Sequence, residues 1–220
     1  MSPSVDHTPL IAREGWSRIA LAFGIAVVVH WQAGVWWALP IWIVALLILQ
    51  FFRDPPRQIP QGDGVVVSPA HGKVVSIQPD TDPITDQPAV RVSIFMNIFS
   101  VHSNRIPLSG VIKDKQHIRG RFLNAALDKA SIENERCAVR IESPEGVSIT
   151  SMQVAGWVAR RILTYVQPGD RVTAGQRYGF IRFGSRVDVF LPPDAEVTAK
   201  LGRWVLSGSD MIARVQTEGS

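Results

Sequence analysis

The stretch Tyr178-Gly179-Phe180-Ile181-Arg182-Phe183-Gly184-Ser185-Arg186-Val187-Asp188-Val189-Phe190-Leu191-Pro192 sets a glycine directly before a serine where two runs of β-forming residues meet. Glycine at such a junction gives the backbone freedom for a bulge or tight turn. A serine hydroxyl is a nucleophile only where a neighbouring base activates it. On pattern alone, the turn accounts for Gly184-Ser185 without any chemistry. The histidines stand apart, at 7, 30, 71, 102 and 117, and no His-x-x-x-His pair or carboxylate cluster assembles a metal site from near neighbours. Neither the phosphate-cradling Gly-x-x-x-x-Gly-Lys loop nor Gly-x-Ser-x-Gly occurs, which argues against P-loop and α/β-hydrolase chemistry.

The elements that must carry these residues fall into two regions. From Trp16 to Phe52 the chain is dense in Ala, Val, Ile, Leu and Trp, with Arg18 as its sole formal charge. Trp16, Trp31, Trp36, Trp37 and Trp42, of the seven tryptophans, lie in it. The break at His30-Trp31-Gln32-Ala33-Gly34 predicts a hairpin of two helices, Ser17 to Val29 and Val35 to Phe52. A spanning helix needs about 20 apolar residues. The segment is therefore expected to be a transmembrane or re-entrant hairpin, its tryptophans at headgroup level. Arg13 and Arg18 at its start, with Arg53 and Arg57 after it, are expected to keep both ends on the cytoplasmic side. The inner membrane, with the remaining domain facing the cytoplasm, is the expected location. A cleaved signal peptide is not expected, given the length of the run and the lack of a small-residue cleavage site after it.

Asp54-Pro55-Pro56-Arg57-Gln58-Ile59-Pro60 ends the apolar run, because proline breaks helix. The expected organisation is a tail at 1–15, the hairpin at 16–53, a linker at 54–64 and a β domain at 65–220. Strand-like runs follow at Val65–Val67, Gly72–Ile77, Val90–Asn97, Gly110–Ile118, Ala138–Ile141, Val147–Val154, Gly179–Phe183, Arg186–Leu191 and Val197–Ala199. Ser143-Pro144-Glu145-Gly146 reads as a hairpin turn, and 121–136 as a loop or short helix. Many short strands make the fold mainly β, a β-sandwich or partly open barrel. The turn-then-valine rhythm of Val66–Val74 and Val166–Gln176 is like that of lipoyl- and biotinyl-like hairpin domains, a barrel-sandwich hybrid. The lone Cys137 excludes an internal disulfide. The net charge of +4 fits an anionic lipid surface, and without a dense basic stripe it gives no support to nucleic acid.

Taken in order, Phe52-Arg53-Asp54-Pro55, Ser68-Pro69-Ala70-His71-Gly72-Lys73-Val74, Phe95-Met96-Asn97 and Val101-His102-Ser103-Asn104-Arg105-Ile106-Pro107 form one half of a pattern. Asp128-Lys129-Ala130-Ser131, Asn134-Glu135-Arg136, Val154-Ala155-Gly156, Ala159-Arg160-Arg161-Ile162 and Phe183-Gly184-Ser185-Arg186-Val187-Asp188 complete it. In this order and spacing, from Phe51 to Asp210, the chain resembles the short, bacterial-type phosphatidylserine decarboxylase proenzymes.

That resemblance implies a self-cleaving zymogen. The Ser185 hydroxyl attacks the Gly184 carbonyl, and the chain splits into a β chain, 1–184, and an α chain, 185–220, whose new N-terminus is a pyruvoyl group. This covalent cofactor forms a Schiff base with the headgroup amine of phosphatidylserine and acts as an electron sink. CO2 leaves and phosphatidylethanolamine results. No metal is required. His102 matches the family histidine and is the implied proton donor. Arg105 and Arg186 are candidates for the lipid phosphate or carboxylate, since guanidinium binds both bidentately. Phe95, Met96, Phe99 and Ile106 are candidates for the acyl entrance, although core packing explains them as well.

The chain departs from the pattern at one place. The family reads Pro-Ala-Asp-Gly where Pro69-Ala70-His71-Gly72 stands, and that aspartate is tied to activating the cleavage serine. His71 either replaces it as the base or marks a slow or defective zymogen; the expectation is that cleavage still occurs. Two rival readings remain: a decarboxylase of another serine-headgroup lipid such as archaetidylserine, or an uncleaved, noncatalytic, lipid-binding relative at the membrane. A lipoyl-type carrier ranks last, because Lys73 follows its turn and does not form it. Assembly as a homo-oligomer is left open.

Overall fold

The computed structural model describes residues 9–120, 133–156, 162–181 and 184–216, with the backbone of Ser4–Val5. Two compact units divide the chain: His7–Pro56, and Met1–Asp6 together with Arg57–Ser220. Of the loop or short helix expected at 121–136, residues 121–132 lie outside the described residues, as do residues 128–131, 159–161 and 183 of the matched segments, while Arg136 opens a strand.

In the first unit a short 3-10 turn at Arg13–Gly15 leads into α1, Trp16–Ala33, and α2 follows at Val35–Phe51. Gly34 separates the helices. Its φ of +85° is left-handed, its amide closes on the His30 carbonyl, and its own carbonyl accepts from the Ala38 amide. Ala26, Ala38 and Ala45 are wholly buried, so the helices meet on small side chains while Leu21, Val28, Trp31, Trp36, Trp37 and Leu46 face outward. The segments entering and leaving are tied together: Ala12 donates to the Phe52 carbonyl, and Asp54 to that of Leu10.

The helical hairpin forms, but among the described residues no helix is long and apolar enough to cross a membrane. The transmembrane expectation is corrected accordingly. Gly34 divides the apolar run in two, and α1 takes in Arg18 near its start and His30 and Gln32 near its end. Its 18 residues reach about 27 Å at ~1.5 Å per residue, against a hydrocarbon layer of about 30 Å.

The second unit is mainly β. Its strands are β1 Ser4–Val5, β2 Gln58–Ile59, β3 Val65–Val67, β4 Gly72–Thr81, β5 Pro88–Phe95, β6 Ser103–Arg105, β7 Gly110–Ile118 and β8 Arg136–Glu142. They continue with β9 Ser148–Val154, β10 Ile162–Thr164, β11 Arg171–Val172, β12 Arg177–Ile181, β13 Arg186–Leu191, β14 Glu196–Val197, β15 Trp204–Val205 and β16 Met211–Arg214. Eight of them make one open antiparallel sheet in the order β11-β7-β8-β9-β13-β5-β4-β15, curled as a half-barrel. Bulges between Val74 and Ser76 in β4, and between Ile112 and Asp114 in β7, bend it. Two three-stranded sheets, β10-β12-β6 and β14-β16-β3, complete the unit, with β1 paired to β2. The Ser143–Gly146 turn joins β8 to β9, with Gly146 at φ +84° and its amide on the Ser143 carbonyl.

Strand alternation decides what β13 offers to each side. Val187 lies opposite Ile94 and Gln153, and Val189 opposite Val92 and Ser151; this face joins the main core with Ile141, Ile149, Tyr178 and Ile181. Arg186, Asp188 and Phe190 point the other way, where Ala138, Met152 and Val154 pack. Both faces are buried, so β13 is an interior strand whose start is the Gly184-Ser185 junction.

Candidate active site

One row of the large sheet runs Lys73–Phe95–Arg186–Val154–Arg136 across β4, β5, β13, β9 and β8. The residues just past this row therefore share one end of the sheet. They are His71 before β4, Met96 after β5, Ser185 before β13, Ala155-Gly156 after β9 and Asn134 before β8.

Backbone bonds hold this end. The Met96 amide donates to the Ser185 carbonyl at 2.9 Å, and the Ala155 amide to that of Glu135 at 2.9 Å. The buried Asn134 Nδ2 donates to the Ala155 carbonyl at 2.7 Å. Gly184 has a φ of +64°, a left-handed conformation that glycine takes without a steric penalty. Its carbonyl oxygen lies against Gly156, where a Cβ would collide with it. Ser185 is 0% exposed, and its Oγ has no hydrogen-bond partner among the described residues. A buried hydroxyl without a partner costs free energy, so a functional reason for it is called for. Ser68, in the same region, spends its hydroxyl on the Ala70 carbonyl.

The two histidines reach this end by separate routes. His102 is wholly buried beside β6; its carbonyl accepts from the amide of Ile181, the end of β12, three residues before Gly184. Its ring lies 6.4 Å from that of Phe180. His71 is half-buried, its ring edge-on to Trp204 at 5.9 Å. The Val101 amide donates to His71 Nδ1 at 3.1 Å, so the segment holding His102 is bonded to His71. A backbone amide can only donate; in that bond Nδ1 is the acceptor, and neutral His71 carries its proton on Nε2.

The candidate arginines occupy the interior. Arg105 Nη1 donates to the Gly175 carbonyl at 2.9 Å, and its Cδ packs against Gly208. Arg186 closes a bidentate pair on Asp188, with Nε to Oδ1 at 2.8 Å and Nη2 to Oδ2 at 3.1 Å. Both arginines are 0% exposed. Of the expected entrance residues, Met96 and Ile106 lie in the core, while Phe99 is 58% exposed.

Sequence reasoning missed a polar chain inside the core. Thr164 Oγ1 donates to Gln153 Oε1 at 2.7 Å, Gln153 Nε2 to Asn104 Oδ1 at 2.8 Å, and Asn104 Nδ2 reaches Met96 Sδ at 3.8 Å. Ser151 Oγ and Tyr178 OH share a bond of 2.8 Å, and burial pushes the Tyr178 phenol up. The one signal was Gln153 in the inward phase of β9, a polar residue where alternation calls for an apolar one.

At one end of its large sheet the mainly β unit sets a left-handed glycine directly before a buried serine whose hydroxyl has no partner among the described residues. The sequence profile of phosphatidylserine decarboxylase matches residues 44–213. The chain is 51% identical over 215 residues to a protein from Aromatoleum aromaticum named phosphatidylserine decarboxylase proenzyme, covering 98% of this chain and all of that one. Proteins of the same name from Nitrosomonas eutropha and Cupriavidus taiwanensis are 52% and 50% identical, over 97% and 96% of this chain and 99% and 98% of their own. This chain belongs to the phosphatidylserine decarboxylase family.

Proposed function

We propose that the chain is a proenzyme that cuts itself between Gly184 and Ser185 and then decarboxylates phosphatidylserine to phosphatidylethanolamine and CO2. The observation that carries this reading is the Ser185 hydroxyl, buried and without a partner among the described residues, directly behind the left-handed Gly184. Ser185 Oγ attacks the Gly184 carbonyl carbon; the C–N bond breaks, and an ester replaces the amide. Loss of the Ser185 Cα proton then expels the Gly184 carboxylate from Cβ. The dehydroalanine left at 185 tautomerises and takes up water, releasing ammonia and leaving a pyruvoyl group at the head of 185–220.

The site suits such a group. It needs no more room than Ser185 already occupies, the side chain at 185 is tied to no hydrogen-bond partner among the described residues, and the Met96 amide already holds the 185 carbonyl. When present, the pyruvoyl carbonyl supplies the electron sink for decarboxylation of the headgroup amine. His102 holds the proton that replaces CO2 on the headgroup carbon, and its burial keeps competing water away.

The outward apolar surface of α1 and α2 supports a hairpin that enters one leaflet without crossing it. Arg13, Arg18, Arg53 and Arg57 at its ends support the cytoplasmic face of the inner membrane. Intact-mass analysis of the purified chain beside Ser185→Ala tests the reading. Fragments split between 184 and 185, the smaller headed by pyruvoyl, with CO2 release from carboxyl-labelled phosphatidylserine, are the expected result. A whole chain matching the control after long incubation with membranes overturns it.

A further inference from the structure

The site end of the sheet is flanked by exposed apolar side chains on both sides of His71. On one side, the turn at Asn97–Ser100 is braced by its own bonds. The Asn97 amide donates to Ser100 Oγ, the Phe99 amide to Asn97 Oδ1 and the Ser100 amide to the Asn97 carbonyl. This braced turn holds Ile98 and Phe99 outward, 52% and 58% exposed. On the other side, Trp204 pairs with Lys73 at the edge of the large sheet. Trp204 and Leu206 are exposed while Val205 between them is buried, and Leu201 stands 67% exposed in the preceding turn. His71 links the two sides, through the Val101 amide on its Nδ1 and through its edge contact with Trp204.

The charges here have one sign. Lys73, Lys200 and Arg203 are exposed among these apolar groups. The stretches Phe95–Arg105 and Val197–Ser209 contain no acidic residue, and the nearby Asp210 spends Oδ2 on the Leu206 amide. Tryptophan, phenylalanine and leucine interleaved with cations match a membrane interface, where the rings sit at headgroup level and the cations meet anionic phosphates. β15 lies at the edge of the large sheet, and its Trp204 remains half exposed.

We propose that this rim, Ile98 and Phe99 on one side and Leu201, Trp204 and Leu206 on the other, docks on the surface of an anionic lipid bilayer. Docking sets the His71 end of the sheet at headgroup depth. The inference goes beyond decarboxylation, and its test reads lipid contact without turnover, so either can fail while the other stands.

The experiment uses the full chain with an environment-sensitive fluorophore on Phe99→Cys or Trp204→Cys, and on Gln87→Cys as the control. The native Cys137 is 2% exposed and stays unlabelled in the folded protein. Gln87 lies in the β4–β5 turn, at the far end of those strands. The probe is vesicles of equimolar phosphatidylcholine and phosphatidylglycerol, the second being anionic and not a serine lipid. Labels at 99 and 204 are expected to shift blue, resist iodide, and be quenched by brominated lipid at least about threefold more than the label at 87. The triple variant Lys73→Glu, Lys200→Glu, Arg203→Glu is expected to lose most of the shift. Labels at 99 and 204 that stay open to iodide while the chain sediments with vesicles overturn the proposal. A blue shift without vesicles that grows with protein concentration assigns the rim to a second copy and also overturns it.

Discussion

The Gly184 carbonyl oxygen lies against the Cα of Gly156, in space that any side chain at 156 would fill. Gly156 follows β9 and Gly184 precedes β13, neighbours in the sheet, so the contact fixes the Gly184 carbonyl, the one the proposed cleavage would attack, from a strand end. Gly156→Ala is expected to displace that carbonyl and slow self-cleavage by about a hundredfold, the usual cost of ångström-scale misplacement of a reacting group. A time course by intact mass, with circular dichroism to confirm folding, reads this. Cleavage at the normal rate would show that the carbonyl leaves Gly156 before reacting.

His71 meets the Val101 amide through Nδ1. To take a proton from Ser185 it must give up that bond, because Nε2 already bears hydrogen in the neutral ring. Two substitutions separate the roles. Asn carries its Oδ1 where Nδ1 stands, so His71→Asn keeps the amide bond but removes the base; Asp restores a carboxylate. The geometry predicts that His71→Asn cleaves within about threefold of the native rate, while His71→Asp is at least about tenfold faster. A His71→Asn chain that never cleaves would make His71 the base. An unchanged rate in His71→Asp would remove this position from serine activation altogether.

What the sequence disclosed follows from which signals are local. Gly110–Ile118 and Arg186–Leu191 were legible to the residue, since alternation and flanking glycine mark them. Ser103–Arg105 and Ile162–Thr164 were not. Three residues carry no period, and these strands exist because they lie over the core, with Asn104 and Thr164 bonded to Gln153. The apolar run disclosed the hairpin and its break before Val35, but not that α1 continues through His30 and Gln32 to Ala33. At the site, Gly184, Ser185 and His102 stood out by family pattern. Gly156's role against the Gly184 carbonyl and the closed pair of Arg186 with Asp188 are tertiary facts, and no spacing in the chain encodes them.

Asp188 is the carboxylate on which a buried charge pair depends. Arg186 binds it bidentately, Arg91 Nη1 approaches Oδ2 at 3.8 Å, and Asp188 is 0% exposed. Breaking one partner out of a buried pair costs about 3–5 kcal/mol, because the remaining charge stays desolvated. Asp188→Asn is expected to lose that much in urea denaturation, measured on a Ser185→Ala background so that cleavage does not intervene. Replacing Arg186 and Asp188 together by Gln and Asn is expected to recover part of it. A loss under about 1 kcal/mol for Asp188→Asn would mean that water or the rest of the chain supports these charges.

Alkaline stability carries the last test. Burial pushes the Tyr178 phenol above its ordinary value of 10.0 and the Cys137 thiol above 9.0, against smaller opposing bonds from Ser151 and Thr164. In both cases the folded protein holds the proton more tightly than the unfolded chain. Their stabilisation is therefore complete below the unfolded values and is lost as pH rises past them. Cys137 starts the loss near pH 9, and Tyr178 steepens it above pH 10 by about 1.4 kcal/mol per pH unit. Tyr178→Phe is expected to be less stable at pH 8 by about 1–3 kcal/mol, since it leaves the Ser151 hydroxyl without its partner. Above pH 10 its stability should fall less steeply than the native chain's. Urea midpoints from pH 8 to 11 decide it: parallel curves for the two proteins would mean that Tyr178 ionises as readily folded as unfolded, and that its site admits water.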